Sequence, residues 1–385
     1  MNPTTSTRSY YPSIDGLRGI AILLVICCSN FDFVPYFEFG WIGVDLFFVL
    51  CGFLITDILL RTGESKNFLR NFYIRRLLKI LPLYYGVLLF YFLFASFLQN
   101  LAVQYQYYHA HQRFMWLHLQ NWLCIIHIRP AGSMMLNHLW SLSILEQFYL
   151  IWPIIILIIR NTRLLARIAI LIIIACVLTR LYSWSIYGDG LTNFYLQYMT
   201  RIDGLCIGSL VAIWRFQSYE ESKKKVFRLG LIVFGAQLIL LVLSKIAGPF
   251  PHFTFVGYTC IATGFGIAVF YAIGNRNTLS RLLLENTVIK FIGKISYGLY
   301  VFHWPILTLF KIYLLKQLIG RGYTASLAYI TISSIALLVT LVISILSYYF
   351  FEKKILALKD LITQEGFFTR AWKKLLVFFN RFSIR

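Results

Sequence analysis

The stretch Asn137-His138-Leu139-Trp140-Ser141-Leu142-Ser143-Ile144-Leu145-Glu146-Gln147-Phe148-Tyr149 places an imidazole, a carboxylate and an amide at the head of a run that stays apolar to Ile159. Imidazoles and carboxylates are the side chains that most often move protons. In hydrocarbon each costs about 2.5–3.5 kcal/mol on insertion scales, so such residues face a bundle interior or a water-filled cavity. At about 100° per residue, His138, Ser141 and Leu145 share one stripe, and Ser143, Glu146 and Gln147 form the adjoining one. The polar groups therefore cover one broad face, the wall of a site, while Ile144, Ile151 and Ile155 look the other way. Plain interhelical hydrogen bonding would also suit Ser141, Ser143 and Gln147.

A second group opens the first apolar run, where Asp15 and Arg18 are followed by Ser29 eleven residues after the arginine. Eleven steps return to within about 20° of the same face, roughly 16 Å higher, so Arg18 and Ser29 line one stripe. Helix capping and topology signalling would explain Asp15 and Arg18 equally. Further along stand Arg75, Arg76 and Lys79, the pair Arg201 and Asp203, and His303 two residues before Pro305, which is expected to kink its helix.

The elements that must carry these groups are membrane spans. The chain has 385 residues and is 59% hydrophobic, 18% aromatic and 13% charged, against about 25% charged in soluble domains. Runs able to cross about 30 Å of hydrocarbon lie near 16–34, 40–60, 77–98, 139–159, 165–184, 196–214, 228–246, 255–275, 293–314 and 326–351. An all-α polytopic membrane protein of about ten transmembrane helices is predicted. A weaker run at 114–126 is short and carries two tryptophans, as an interfacial segment would. Basic clusters at Arg61–Lys79, Arg160–Arg167, Arg215–Arg228, Arg276–Lys290 and beyond Lys353 fall on one side only if that run does not cross. Both termini are therefore expected in the cytoplasm and residues 99–137 outside.

The net charge of +21 resides mostly in these short loops, which argues against nucleic acid as a partner. Seven cysteines, most of them inside apolar runs and without a CxxC pair, imply neither a disulfide framework nor a metal site. The first run lacks a cleavage signature and reads as a span. Residues 61–76 and the tail 356–385 mix aromatics and cations like helices lying on the membrane surface. No internal repeat is evident, which tells against ion-coupled transport.

Seven motifs, in order over about residues 10–355, resemble the membrane acyltransferase 3 family. They are Asp15-Gly16-Leu17-Arg18-Gly19-Ile20-Ala21, Phe47 to Thr56, Phe72-Tyr73-Ile74-Arg75-Arg76 through Pro82, His138 to Tyr149, Arg201-Ile202-Asp203-Gly204, Gly293 to Pro305, and Ser347 to Glu352. The resemblance implies a domain over 1–355 that takes an acyl group, usually acetyl, from cytoplasmic acyl-CoA. The group passes to a hydroxyl of an envelope glycan, a lipid-linked sugar or a small molecule. It further implies a multi-pass protein of the bacterial inner membrane, in contact with membrane lipid and needing no metal.

Acyl transfer needs a base for the acceptor, donors for the oxyanion and cations for the CoA phosphates. His138, Glu146, Ser29 and Asp15 are the catalytic candidates, with His138 the first choice of base and His303 the second. Arg18, Arg75, Arg76 and Lys79 are the candidates for CoA, and Arg201, Asp203, His303 and Trp140 for the acceptor. Tyr297 and Tyr300 are expected to pack rather than react. The chain departs from the family pattern at Ser29, where a histidine is typical, and at Leu145, Cys51, Lys79 and Tyr349. Ser29 and Leu145 keep open a second expectation, a catalytically degenerate homologue that binds or moves a lipid-linked glycan.

Overall fold

The computed structural model describes residues 10–62, 68–97, 101–126, 135–196, 199–246, 253–274 and 282–363. Among them every regular element is helical, as apolar segments require when only internal hydrogen bonds can satisfy the backbone. The order is α1 (Pro12–Asn30), α2 (Ile42–Thr62), α3 (Phe68–Phe94), three short helices α4 (Ala102–Ala110), α5 (Gln112–Trp116) and α6 (Gln120–Ile126), then α7 (Trp140–Ile158), α8 (Thr162–Leu196), α9 (Ile202–Gln217), α10 (Tyr219–Ile246), α11 (Tyr258–Gly274), α12 (Thr287–Gly320), α13 (Ala325–Ser347) and α14 (Lys353–Thr363). A single π turn, Tyr348–Glu352, joins the last two.

Nine of the described helices are long and apolar enough to cross a membrane, the architecture of a multi-pass protein. The expected span at 196–214 appears as α9, whose 16 residues reach only about 24 Å. α9 is instead a central strut, buried over most of its length. A Cβ on Gly52 of α2 would stand 1.9 Å from the Leu205 carbonyl oxygen, and one on Gly208 2.0 Å from that of Val49. Small residues let these two backbones touch, the usual way membrane helices gain packing energy. Thr56 then donates to Ser209 at 2.9 Å, and the Trp152 indole of α7 donates to Thr56 at 2.9 Å. α1 and α12 form the second close seam, where a Cβ on Gly293 would lie 1.8 Å from the Asp15 carbonyl oxygen.

Two expectations about the flanking segments change. Residues 68–76 do not form a separate surface helix; they begin α3, which runs unbroken to Phe94, while residues 63–67 lie outside the described set. Helices α5 and α6, with five and seven residues, are too short to cross. Yet they dock deep in the bundle: Tyr84 and Tyr85, mid-way along α3, donate to the carbonyls of Met115 and Trp116 at 2.8 and 3.0 Å. Gln147 of α7 donates to the His118 carbonyl at 2.8 Å. Of the expected surface tail, the described part is α14; residues 364–385 lie outside the described set.

Candidate active site

The start of α1, the end of α2 and the start of α3 meet at one end of the bundle around an open vestibule, lined by Tyr10, Asp15, Arg18, Arg75, Arg76 and Lys79 among others. Four cations from two helices thus face one space. The vestibule adjoins a second cavity between the helices, and Arg18, Leu54, Arg76 and Lys79 line both. Along α2 this inner cavity runs from Leu54 to Val44, ten residues or about 15 Å of helix. Its walls are mostly apolar, with Phe47, Cys51 and Leu142 among them. Arg76 is held between the rings of Phe72 and Tyr149, at 5.6 and 5.0 Å, and Arg18 donates to Ser296 of α12 at 2.9 Å.

Away from the cations, Ser141 and Tyr300 line the cavity and their hydroxyls are 2.6 Å apart. Tyr300 also donates to the His138 carbonyl at 2.9 Å. Directly behind this pair the rings of His138 and His303 lie 5.3 Å apart, edge to face. His138 Nε2 is 3.2 Å from the Val301 carbonyl, so Nε2 carries the proton and Nδ1 is the basic nitrogen. That Nδ1 is buried and unpartnered. His303 Nδ1 lies 2.7 Å from the Tyr300 carbonyl, which by the same reasoning makes Nε2 its basic atom.

The sequence candidates therefore separate into groups. Arg18, Arg75, Arg76 and Lys79 share the vestibule, and His138 and His303 meet beside the inner cavity. Tyr297 and Tyr300, expected to pack, line that cavity instead. Glu146 lies within electrostatic reach of Arg76 and keeps a buried, unpartnered Oε1; among the described residues no hydrogen bond links it to a histidine. Asp15 lines the vestibule, as Asp57 does, accepting from Tyr10 at 2.9 Å and lying 3.8 Å from Arg18. Ser29 donates to the Val25 carbonyl of its own helix at 2.8 Å. Trp140 packs edge-on against Phe48.

Arg201 and Asp203 are not paired with each other, contrary to the sequence expectation. Arg201 joins Asp45 of α2 and stacks 3.8 Å over Tyr258. Asp203 joins Arg180 of α8 at 2.6 Å. Arg180 has no exposed surface and uses all five N–H groups, on Thr200 (side chain and carbonyl), the Phe255 carbonyl, Thr259 and Asp203. Sequence reasoning missed Arg180, although its position inside an apolar run was the signal. These pairs tie the starts of α2, α9 and α11 to the middle of α8.

The model of a family described as an acyltransferase domain matches residues 11–349. The chain belongs to the acyltransferase 3 family. Within this acyltransferase family it is 30% identical over 328 residues to the peptidoglycan O-acetyltransferase OatA of Listeria monocytogenes, covering 80% of this chain and 51% of that protein. It is 29% identical over 372 residues to YrhL of Bacillus subtilis, covering 91% of this chain and 56% of the relative. The chain thus spans about half the length of the curated relatives it matches. No solved structure matches it.

Proposed function

We propose that this acyltransferase takes an acetyl group from acetyl-CoA at the vestibule and delivers it to a hydroxyl of a cell-envelope glycan or lipid-linked sugar at the bacterial inner membrane. The observation that carries this reading is the adjacency of the two spaces, which share Arg18, Leu54, Arg76 and Lys79: four cations at the mouth, about 15 Å of apolar wall, then two hydroxyls backed by two imidazoles. Arginine and lysine at the mouth suit the diphosphate and ribose phosphate of the donor, and the apolar wall suits its thioester arm. The acceptor hydroxyl loses its proton to His138 as its oxygen attacks the thioester carbonyl. The carbon–sulfur bond breaks and CoA leaves as the thiol. Ser141 or Tyr300 would donate to the oxyanion by turning its single proton away from the bonds it makes in the resting site. The name of the Listeria relative supports a peptidoglycan acceptor.

The test is transfer of labelled acetyl from acetyl-CoA to envelope glycans in membranes containing the full chain. Label on a glycan, lost in Arg76→Ala and His138→Ala, supports the reading; a glycan pool that stays unlabelled overturns it. A second reading follows from Ser29, whose hydroxyl is committed to Val25 where the family typically has an imidazole. In that case the chain binds or moves a lipid-linked glycan without catalysis. Ser29→His would then convert a silent protein into an active one.

A further inference from the structure

Separate from both cavities, α10 and α11 frame an open apolar groove lined by Phe227, Gly230, Phe234, Gly235, Ile267 and Tyr271 among others. Two glycines shape it: a Cβ on Gly235 would meet no atom within 4 Å, and one on Gly230 would meet only the Ile267 Cδ1, at 3.1 Å. Phe227 and Leu238 on its walls are 63% and 60% exposed.

The groove has charge at one end only. At about 100° per residue, Lys223, Phe227, Phe234 and Leu238 fall within about 60° of one another, with Lys224 and Arg228 flanking them. Lys224 and Arg228 are exposed, and Lys223 is 40% exposed while bonding Glu220 at 3.0 Å. With Lys225, which lies 3.9 Å from Glu221, four cations face two acids. No ionised residue follows on α10 until Lys245. Arg228 to Leu238 covers ten residues, about 15 Å, or one leaflet of a 30 Å hydrocarbon core.

This charged end lies on the vestibule side of the bundle. The Tyr219 ring of α10 stacks on Phe270 near the end of α11, with centroids 5.1 Å apart. Ser13, at the start of α1, donates to the Ala272 carbonyl at 3.0 Å.

We propose that the groove binds an anionic phospholipid, its phosphate at Lys223, Lys224 and Arg228 and its acyl chains over Gly230 and Gly235. Basic residues at a leaflet surface attract anionic lipid, and the open floor accepts the chains. A two-fold copy of the chain fits less well, because it would bring these lysines against their own equivalents. The site is separate from acyl transfer and stands or falls independently of it.

The test uses the full purified chain, with thermal midpoint and native mass spectrometry read in added phosphatidylglycerol and in phosphatidylcholine. Phosphatidylglycerol should raise the midpoint several degrees more and remain bound. Lys223→Gln/Lys224→Gln/Arg228→Gln should erase the difference, Lys223→Arg/Lys224→Arg should keep it, and Gly235→Phe should lose both lipids from the groove. Equal response of the unaltered chain to the two lipids overturns the proposal, as does a preference that survives the glutamine variant. A dimer that Gly235→Phe dissociates would assign the groove to a second copy and overturn it too. If Gly235→Phe fails to fold, the charge variants decide alone.

Discussion

His138 of the turn before α7 and His303 of α12 lie 165 positions apart in the chain, yet their rings are 5.3 Å apart and edge to face. Each uses one nitrogen on a backbone carbonyl. The two basic nitrogens remain, beside hydroxyls that line the inner cavity.

His138→Gln should lower acetyl transfer by about 10²-fold or more, the usual contribution of a general base, while CoA binding is unchanged. His303→Gln should cost less, because His303 is the edge-to-face neighbour of the proposed base rather than the base itself. Initial rates alongside CoA affinity check this, and an undiminished rate in His138→Gln would remove His138 from the chemistry.

Cys51 lines the inner cavity between the cations and Ser141. Its alkylation by N-ethylmaleimide should slow markedly when CoA is present, with Cys51→Ser as the control for the other cysteines. Labelling that ignores CoA would place the donor elsewhere.

Arg180 and Asp203 form an ion pair with 0% and 1% side-chain exposure. Removing one charge leaves the other buried and uncompensated, so Arg180→Met should cost about 3–5 kcal/mol. Arg180→Met with Asp203→Leu should recover part of the loss. Thermal midpoints of the two variants decide; a single variant as stable as the parent would show that the pair is not holding α8 to the start of α9.

At Gly52 any side chain collides with the Leu205 carbonyl, whereas at Gly86 a Cβ meets nothing within 4 Å. Gly52→Ala should therefore abolish the folded protein, and Gly86→Ala should be neutral or slightly stabilising, since alanine favours helix by about 1 kcal/mol. Comparable yields of both variants would contradict the close seam between α2 and α9.

Burial between α3 and α7 lowers the His118 imidazole to about 4 from its ordinary 6.5. The unfolded chain takes up a proton below about pH 6.5 that the folded chain refuses until about pH 4. Its contribution, at most about 3 kcal/mol, is fully present above that window and declines as pH falls through it. The midpoint of His118→Phe, which keeps the stacking on Tyr84 at 4.1 Å, should fall less steeply between pH 6.5 and 4. Parallel curves would count against this account.

Hydropathy and charge placement by themselves determined the helical membrane class, the approximate ends of most spans and the non-crossing of residues 114–126, because the cost of burying polar backbone or charge acts on each segment alone. The clustering of Arg75, Arg76 and Lys79 was also legible, since their spacing puts them on neighbouring turns of one helix. Partnership was not. Arg201 and Asp203 are two residues apart, about 200° around a helix, and so turn to different neighbours, Asp45 and Arg180. The meeting of His138 with His303, the depth at which α5 and α6 dock, and the use of α9 as a short central strut were likewise decided only in the tertiary structure. Periodicity tells which face of a helix is polar, but glycine contacts such as Gly52 with Leu205 and Gly293 with Asp15 select which faces come together.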